Sequence, residues 1–217
     1  MINILEQEKL FNEIGKILDK KIECFAIGGT AMMFLGLKDL TKDIDLVFLT
    51  KEDRELWKKA ALSLGYKEME SRIIYGRRNN VPDMVYLGDW RIDLFLTEVI
   101  SFSFSEIAQK RSVEVHEFSN NLIINIANPN DIFLMKCATE RQKDIDDAKA
   151  ILDKNLIKWD MILEEVQNQV NHGKIRIALD LGLFLENLEN IGEKIPKEVM
   201  DSLFKILENQ AKERRRK

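Results

Sequence analysis

Two closely spaced aspartates are the residues of this chain best suited to chemistry. Asp43 and Asp45 lie two positions apart, at the start of an apolar run that ends at Leu49. Because side chains alternate between the faces of a strand, both carboxylates should lie on one face, with Ile44 and Leu46 on the other. Aspartate is depleted in strands, and divalent cations prefer hard carboxylate oxygens. The pair therefore predicts a site for a divalent cation.

A third acid, Asp93, lies within a second apolar run, 90–96. An acid at such a position is costly unless it is paired or binds a metal. Two acids on one strand and a third on another are typical of a two-metal site for phosphoryl transfer, with Asp43, Asp45 and Asp93 as metal ligands. The alternative is structural: Asp43 and Asp45 would be exposed edge or turn residues paired with Lys42.

A glycine pair precedes these acids. Gly28 and Gly29, followed by Thr30, come directly after the apolar run 24–27, which predicts a buried strand. Backbone N–H groups at a strand-to-helix turn can cradle phosphate oxygens, and glycine permits close approach. The Thr30 hydroxyl adds a donor. The turn is not a Walker loop, because no Gly-Lys-Ser/Thr sequence follows.

The second half of the chain carries a cluster of basic residues. Lys136, Lys143 and Asp147 recur at helical spacing, so they share one helix face, and Arg141 lies between them. This face could reach a single site. The alternative is a lattice of ion pairs on the helix, with Arg141 bound to Asp144 and Lys143 bound to Asp147.

Together these motifs resemble the nucleotidyltransferases of the DNA polymerase beta type. The resemblance spans about residues 25–148. The first part of the resemblance rests on the order of motifs: Gly-Gly-Thr, a short spacer, Asp-hydrophobic-Asp-hydrophobic, and a later strand with a third Asp. The segment 136–148 is similar to the Lys-x-x-Ala-x-x-Arg-x-Lys-Asp-x-x-Asp signature of the minimal bacterial and archaeal branch, with Ala138 one place early. That branch includes abortive-infection toxins.

The resemblance implies an activity and assigns roles. The enzyme would move a nucleoside monophosphate from a nucleoside triphosphate to a hydroxyl acceptor, with Mg²⁺ or Mn²⁺ as cofactor. The acceptor could be the 3′ end of a tRNA, a protein side chain or a small molecule. A toxin-like protein would also have an antitoxin-like partner. The family's nucleotide-binding positions correspond to Gly28, Gly29, Thr30, Lys136, Arg141 and Lys143. Its catalytic and metal-binding acids correspond to Asp43, Asp45 and Asp93, of which Asp93 would be the base for the acceptor hydroxyl.

Hydrophobic periodicity predicts the elements that position these residues. We expect an α/β domain over 1–127, with a nucleotidyltransferase-like mixed sheet flanked by helices, and a helical bundle over 128–217. In the first domain the predicted strands are 22–28, 43–49, 66–75, 83–88, 91–96, 113–118 and 122–126, the last two forming a hairpin. In the second, the predicted helices are 129–139, 142–153, 157–171, 174–189 and 197–211.

Composition restricts the remaining functional classes. A net charge of −4 excludes a dedicated basic nucleic-acid coat, and no apolar run is long enough for a membrane span. Cys24 and Cys137 are far apart in apolar surroundings, which predicts core residues of a reduced, cytoplasmic protein. The basic end, 212–217, is interpreted as a solvated helix end, with RNA contact as the alternative. The oligomeric state stays open.

Two other functions compete with the transferase hypothesis. Glycosyltransferases also hold a metal with an Asp-x-Asp near a strand end, although the upstream Gly28-Gly29 argues against that assignment. The fold could also persist as a catalytically inactive binding or partner module, an alternative that the complete acid set of Asp43, Asp45 and Asp93 disfavours.

Overall fold

The computed structural model of the protein describes residues 1–138 and 141–216, with side chains up to residue 213. The described chain divides into two compact units. Met1–Ile100 and Phe104–Asn128 form the first unit, and Ser101–Ser103 and Pro129–Lys217 form the second. Within the described ranges, no helix is both long and apolar enough to cross a membrane.

The first unit combines a mixed sheet with helices. Its helices are α1 (Ile4–Ile17), α2 (Gly28–Phe34), α3 (Lys51–Ser63), α4 (Arg72–Tyr75) and α5 (Glu106–Lys110). Its strands are β1 (Ile22–Ala26), β2 (Asp43–Phe48), β3 (Lys67–Met69), β4 (Asp83–Leu87), β5 (Trp90–Leu96), β6 (Glu98–Val99), β8 (Glu114–Phe118) and β9 (Leu122–Ile126). The predicted α/β architecture with a C-terminal helical part is confirmed.

The sheet places β2 and β5 side by side near its middle. Its strand order is β3-β4-β5-β2-β1-β9-β8, and β6 pairs with β5. Strands β2 and β5 are parallel, as are β1 and β9, and the other pairs are antiparallel. Buried apolar side chains hold β2 in place, because Ile44, Leu46, Val47 and Phe48 are fully inaccessible to solvent.

Local sequence signals explain where helices α1 and α3 begin. Helix α1 begins with a capping box, in which Asn3 and Glu6 bond each other's backbone N–H. Helix α3 begins at Lys51 after Thr50, whose hydroxyl accepts a hydrogen bond from the Asp53 N–H. Hairpin β8–β9 forms as predicted.

The predicted strand 66–75 is wrong over its second half. Only Lys67–Met69 is a strand, and Arg72–Tyr75 forms the short helix α4, which Gly76 ends at a φ of 62°. The apolar run that suggested a strand is not buried, since Ile73 is 71% exposed and Ile74 is 48% exposed. Helix α2 begins at Gly28, which the sequence analysis had placed at the end of the strand 22–28.

The second unit is helical apart from the two-residue strand β7 (Phe102–Ser103). Its helices are α6 (Pro129–Lys136), α7 (Gln142–Asp153), α8 (Trp159–Asn171), α9 (Ile177–Asn190) and α10 (Lys197–Arg216). Phe133 packs edge-to-face against Trp159 and Phe184 in the core of this unit. The sequence predicted that the first helix of this unit ends at residue 139, which lies outside the described residues. The side chains of 214–217, in the basic end, also lie outside them.

Candidate active site

The register of two parallel strands brings the three aspartates together. Asp45 on β2 lies opposite Asp93 on β5, and Asp43 lies opposite Arg91. Because side chains at positions i and i+2 of a strand share a face, all four side chains lie on the same face of the sheet. The sequence analysis had grouped the three acids in one proposed metal site, but it assigned no role to Arg91.

The glycine turn lies directly against Asp45. Gly28 has a φ of +55°, and a Cβ atom added there would lie 2.8 Å from Oδ2 of Asp45. The Asp45 N–H donates to the Thr30 hydroxyl at 2.9 Å, and the Asp45 carbonyl accepts from the Ile27 N–H at 3.1 Å. Backbone and side-chain bonds therefore fix the start of α2 against β2, and only glycine leaves space for the carboxylate.

The neighbouring Gly29 is also confined. A Cβ atom at this position would lie 2.5 Å from the hydroxyl oxygen of Thr41, which is itself buried. Both glycines of the motif thus permit a close approach between the turn and the segment that leads into β2. The first N–H groups of α2 have no capping side chain from Ile27, which carries no polar group.

Arg91 bridges two of the acids. Its Nη2 forms a short ion pair with Oδ2 of Asp43, and its Nε lies 3.0 Å from Oδ1 of Asp93. Burial lowers the pKa of Arg91, but the carboxylates of Asp93 and Asp43 outweigh this effect and raise it. Asp43 on β2 is therefore paired with Arg91 on the neighbouring strand β5. The guanidinium of Arg91 holds the carboxylates of both Asp43 and Asp93.

Asp93 is the most deeply buried of the three acids, with no solvent exposure. Burial raises the pKa of Asp93 to about 6, although the Arg91 guanidinium and a hydrogen bond from Tyr75 act in the opposite direction. The Tyr75 hydroxyl donates to Oδ2 of Asp93 at 2.6 Å. At neutral pH, Asp93 is therefore a mostly ionised carboxylate whose proton affinity is high for an aspartate.

Sequence reasoning missed Arg91 and Tyr75 as members of the site. Arg91 carried a usable signal, because it stands two residues before Asp93 and so shares its face of the strand. Tyr75 carried none, since it was assigned to a strand and instead closes helix α4, where its ring packs edge-to-face on Phe95.

The carboxylate oxygens of the three aspartates are of the type that binds hard divalent cations, but their arrangement in the described residues is not that of a complete metal site. Within the described ranges, no group of three or more His, Cys, Asp or Glu side chains is arranged to hold a metal ion. The oxygens of Asp43, Asp45 and Asp93 are nevertheless the ligand type that Mg²⁺ requires. The guanidinium between Asp43 and Asp93 shows that a positive charge is accommodated there.

The predicted basic residues lie in the second unit, but the predicted shared helix face is wrong, because Lys136 ends helix α6 and Lys143 lies in helix α7. Nζ of Lys136 is 3.0 Å from Asp144 and 2.6 Å from Asp147, and all three residues are buried. Arg141 pairs with Asp144 at 2.7 Å, as the ion-pair alternative predicted. Asp147, however, pairs with Lys136, whereas the alternative had assigned it to Lys143. The Lys143 side chain is exposed.

The pKa of Lys136 reflects these partners. Burial lowers it, but the neighbouring carboxylates of Asp147 and Asp144 outweigh burial and raise the pKa above its ordinary value. Lys136 is therefore charged throughout the physiological pH range and forms a buried ion-pair cluster with the two acids.

Comparisons with known proteins give matches among solved structures alone. Neither a family model nor a curated protein matches this sequence. One similar structure is the crystal structure of ANT(2")-Ia in complex with adenylyl-2"-tobramycin, at 20% identity and a TM-score of 0.46, covering 68% of this chain and 88% of that one. Another is the solution structure of the antibiotic-resistance factor ANT(2'')-Ia, at 18% identity and a TM-score of 0.48, covering 81% and 95%.

Proposed function

We propose that this protein is a nucleotidyltransferase, which moves a nucleoside monophosphate from a nucleoside triphosphate to a hydroxyl acceptor. The observation that carries the proposal is the arrangement of Asp43, Asp45 and Asp93 on one sheet face, with the Gly28 turn against Asp45. Carboxylates beside a glycine turn suit a metal-bound triphosphate, because the acids bind the cation while the turn admits phosphate oxygens.

The roles of the individual residues follow from their chemistry. Asp43, Asp45 and Asp93 would hold Mg²⁺ or Mn²⁺, and a bound cation of this kind neutralises phosphate charge and lowers the pKa of a nearby hydroxyl. The triphosphate would be bound by backbone N–H groups of the turn formed by Gly28, Gly29 and Thr30. The Thr30 hydroxyl accepts a hydrogen bond from the Asp45 N–H, so this side chain helps to position Asp45.

Asp93 is the candidate general base. Its pKa of about 6 leaves it ionised at neutral pH, yet gives it a higher proton affinity than an ordinary aspartate. A base with a pKa near the working pH takes a proton most effectively. Asp93 would accept the proton of the attacking hydroxyl. In the metal-free protein, Tyr75 and Arg91 each donate to one of its two oxygens.

The acceptor and the biological setting rest on the sequence resemblance. The segment 136–148 supports a place near the toxin branch, in which RNA or protein is an acceptor and an antitoxin-like protein is a partner. In the second unit, Arg141 and Lys143 are exposed cations suited to phosphate. Lys136 forms ion pairs with Asp144 and Asp147. It would have to break these ion pairs before it could bind a phosphate.

Thermal unfolding in the presence of nucleotides tests the proposal without knowledge of the acceptor. The wild type is heated with each nucleoside triphosphate, with Mg²⁺ and with EDTA. A ligand present at about 100 times its Kd stabilises the fold by about 2.7 kcal/mol, which is easily measured. We expect a Mg²⁺-dependent rise in Tm for the wild type and its loss in Asp45→Asn.

A matched control separates site chemistry from a general effect of substitution. Asp89 is an exposed aspartate in the turn before β5, so Asp89→Asn makes the same chemical change outside the acid group. This variant should keep the full nucleotide response. A response retained by Asp45→Asn, or one absent from the wild type with every triphosphate, would contradict the proposed nucleotide site. A response to sugar nucleotides alone would favour the glycosyltransferase alternative.

A partner module without catalytic activity is the second candidate. The observation that favours it is the Arg91 bridge, because a guanidinium between Asp43 and Asp93 neutralises the acids without any metal. In that case Mg²⁺ and nucleotide would leave the Tm unchanged, and the protein would be recovered with a second protein bound.

A further inference from the structure

The Arg91 side chain contacts two carboxylates of the proposed metal site. It reaches Asp43 on the neighbouring strand through Nη2 and Asp93 on its own strand through Nε. The planar guanidinium offers several N–H donors in a fixed geometry, so one side chain can bind two acids at once. Arg91 thereby makes contacts that a divalent cation would otherwise make with the same oxygens.

Electrostatics explains why a cation is needed there. Asp43 is largely buried, with 13% of its side chain exposed, and Asp93 is completely buried. Buried carboxylates on adjacent strands repel each other and lose hydration unless a positive charge compensates. Arg91 supplies that charge within the fold, so both carboxylates are paired with one guanidinium before any ligand binds.

We propose that Arg91 is a positioning residue that competes with the divalent cation for Asp43 and Asp93. It keeps these carboxylates ordered in the metal-free protein and withdraws when the cation binds. This inference rests on the proposed function, because it takes the three aspartates as the metal ligands. Its consequence is that the metal-free protein binds divalent cations weakly, since each binding event must first break two ion pairs.

The surroundings of Arg91 allow such a withdrawal. Its side chain is 23% exposed, whereas that of Asp93 is fully buried, so the arginine is the more accessible partner of the pair. An arginine carries a long, flexible aliphatic stem and stays charged at any pH that the protein tolerates. It can therefore move its head toward solvent without a change of protonation, while the short acids stay on their strands.

Binding of Mn²⁺ alone tests the competition directly. The Kd for Mn²⁺ is measured by calorimetry, and by the loss of the free-ion electron paramagnetic resonance signal, for the wild type and for Arg91→Met. Methionine keeps much of the length of the side chain but removes the charge. We expect Arg91→Met to bind Mn²⁺ about tenfold more tightly, which corresponds to about 1.4 kcal/mol.

Two further variants separate competition from other effects. Arg54 is a comparable arginine of the first unit, 12% exposed and paired with Asp83 at 3.3 Å. Arg54→Met changes the net charge equally but leaves the acid group intact, so its Mn²⁺ affinity should match the wild type. Arg91→Lys keeps the charge but cannot bind both acids through a planar fork, so it should show a smaller gain than Arg91→Met.

Nuclear magnetic resonance of the wild type provides a readout that does not depend on any substitution. The Nε–H resonance of Arg91 reports its bond to Asp93, and titration with Mg²⁺ should shift that resonance and speed its exchange with water. The Nε–H resonance of Arg54 should stay in place. An Arg91 that kept both ion pairs would show no faster exchange of its Nε–H with water when Mg²⁺ binds.

The outcomes distinguish this inference from the proposed function. Equal or weaker Mn²⁺ binding by folded Arg91→Met, or an Arg91 resonance unaffected by saturating Mg²⁺, would overturn the competition while leaving a metal site in place. If neither the wild type nor any variant bound Mn²⁺, with or without triphosphate, the metal site of the proposed function would fail as well.

Discussion

At the scale of single residues, Asp93 shows how a buried acid can be kept in the fold. Tyr75 and Arg91 each donate to one of its oxygens, and both interactions favour the ionised form. Burial is nevertheless the stronger effect, so the pKa of Asp93 is raised from 3.8 to about 6. An acid whose pKa is higher in the folded state than in the unfolded state binds its proton more tightly when folded. Its ionisation therefore opposes folding.

The first prediction concerns the pH dependence of stability. Between about pH 4 and pH 6 the folded protein holds the Asp93 proton while the unfolded chain releases it, so the contribution of Asp93 to stability falls as the pH rises. A shift of about two units corresponds to a loss of roughly 3 kcal/mol. The free energy of urea unfolding is measured in EDTA at several pH values for wild type and Asp93→Asn.

The result is the difference in unfolding free energy between the two proteins, because this difference isolates the effect of the Asp93 carboxyl group. The wild type should lose stability relative to Asp93→Asn as the pH rises from 4 to 7. The exposed Asp89→Asn should show a constant difference from the wild type. A wild-type advantage that grew with pH would mean that Arg91 and Tyr75, rather than burial, dominate the pKa of Asp93.

At the scale of elements, helix α2 shows how glycine joins a helix to a site. A glycine with positive φ stands at each end of α2: Gly28 at its start, with φ +55°, and Gly36 shortly after its end, with φ +65°. The two glycines differ in their surroundings. A Cβ at Gly28 would meet the Asp45 carboxylate, whereas a Cβ at Gly36 would meet nothing within 4 Å.

The second prediction uses these two glycines as a matched pair. Gly36→Ala should lower the free energy of unfolding by about 1–2 kcal/mol, because an L-residue is strained in the left-handed region. Gly28→Ala should cost more, roughly 2–4 kcal/mol, since the new methyl group also displaces Asp45. Urea unfolding measures both values, and calorimetry with Mn²⁺ tests whether Asp45 has moved.

The binding result discriminates more sharply than the stability result. Gly28→Ala should weaken Mn²⁺ binding, whereas Gly36→Ala should leave it unchanged. Equal losses of stability in the two variants, with metal binding intact in both, would show that the close approach of Gly28 to Asp45 has no functional importance.

The elements also show how far the sequence could be interpreted. Alternation along 43–49 correctly predicted a strand with two acids on one face, because one buried apolar face fixes the register of a strand. The helix over Arg72–Tyr75 could not be predicted, since its apolar residues Ile73 and Ile74 are largely exposed and give no periodic signal of burial. The bond from Tyr75 to Asp93 therefore followed only from the tertiary structure.

Pairings across the sheet were beyond the sequence for a similar reason. The sequence fixes neither which strands are neighbours nor their offset, and the position of Asp45 opposite Asp93 depends on both. The Arg91 bridge to Asp43 depends on the same register. In the second unit, helical spacing correctly predicted the pair of Arg141 and Asp144. It could not predict the partner of Asp147, because Lys136 reaches it from a different helix.

At the scale of the whole molecule, the predicted site residues fall in two compact units with different kinds of charge. The first unit contains the acids and their arginine, and the second contains the basic segment that the resemblance assigns to phosphate. Lys136 and Lys143 belong to the same motif but occupy opposite environments. Lys136 is buried between Asp144 and Asp147, whereas Lys143 is exposed. Stability and ligand binding should therefore depend on different lysines.

The third prediction separates these two contributions with one substitution at each lysine. Lys136→Met removes the ammonium between two buried carboxylates, so it should lower the free energy of unfolding by about 3–5 kcal/mol, as for other broken buried ion pairs. Lys143→Met should change it by no more than about 0.5 kcal/mol, because the side chain is exposed.

If Lys143 binds phosphate, the same variant should lose part of the Mg²⁺-dependent rise in Tm with triphosphate. Urea unfolding and nucleotide-dependent melting, performed on both variants, measure the two effects separately. Unchanged stability of Lys136→Met would contradict the buried cluster, and an intact nucleotide response of Lys143→Met would remove Lys143 from the proposed phosphate-binding set.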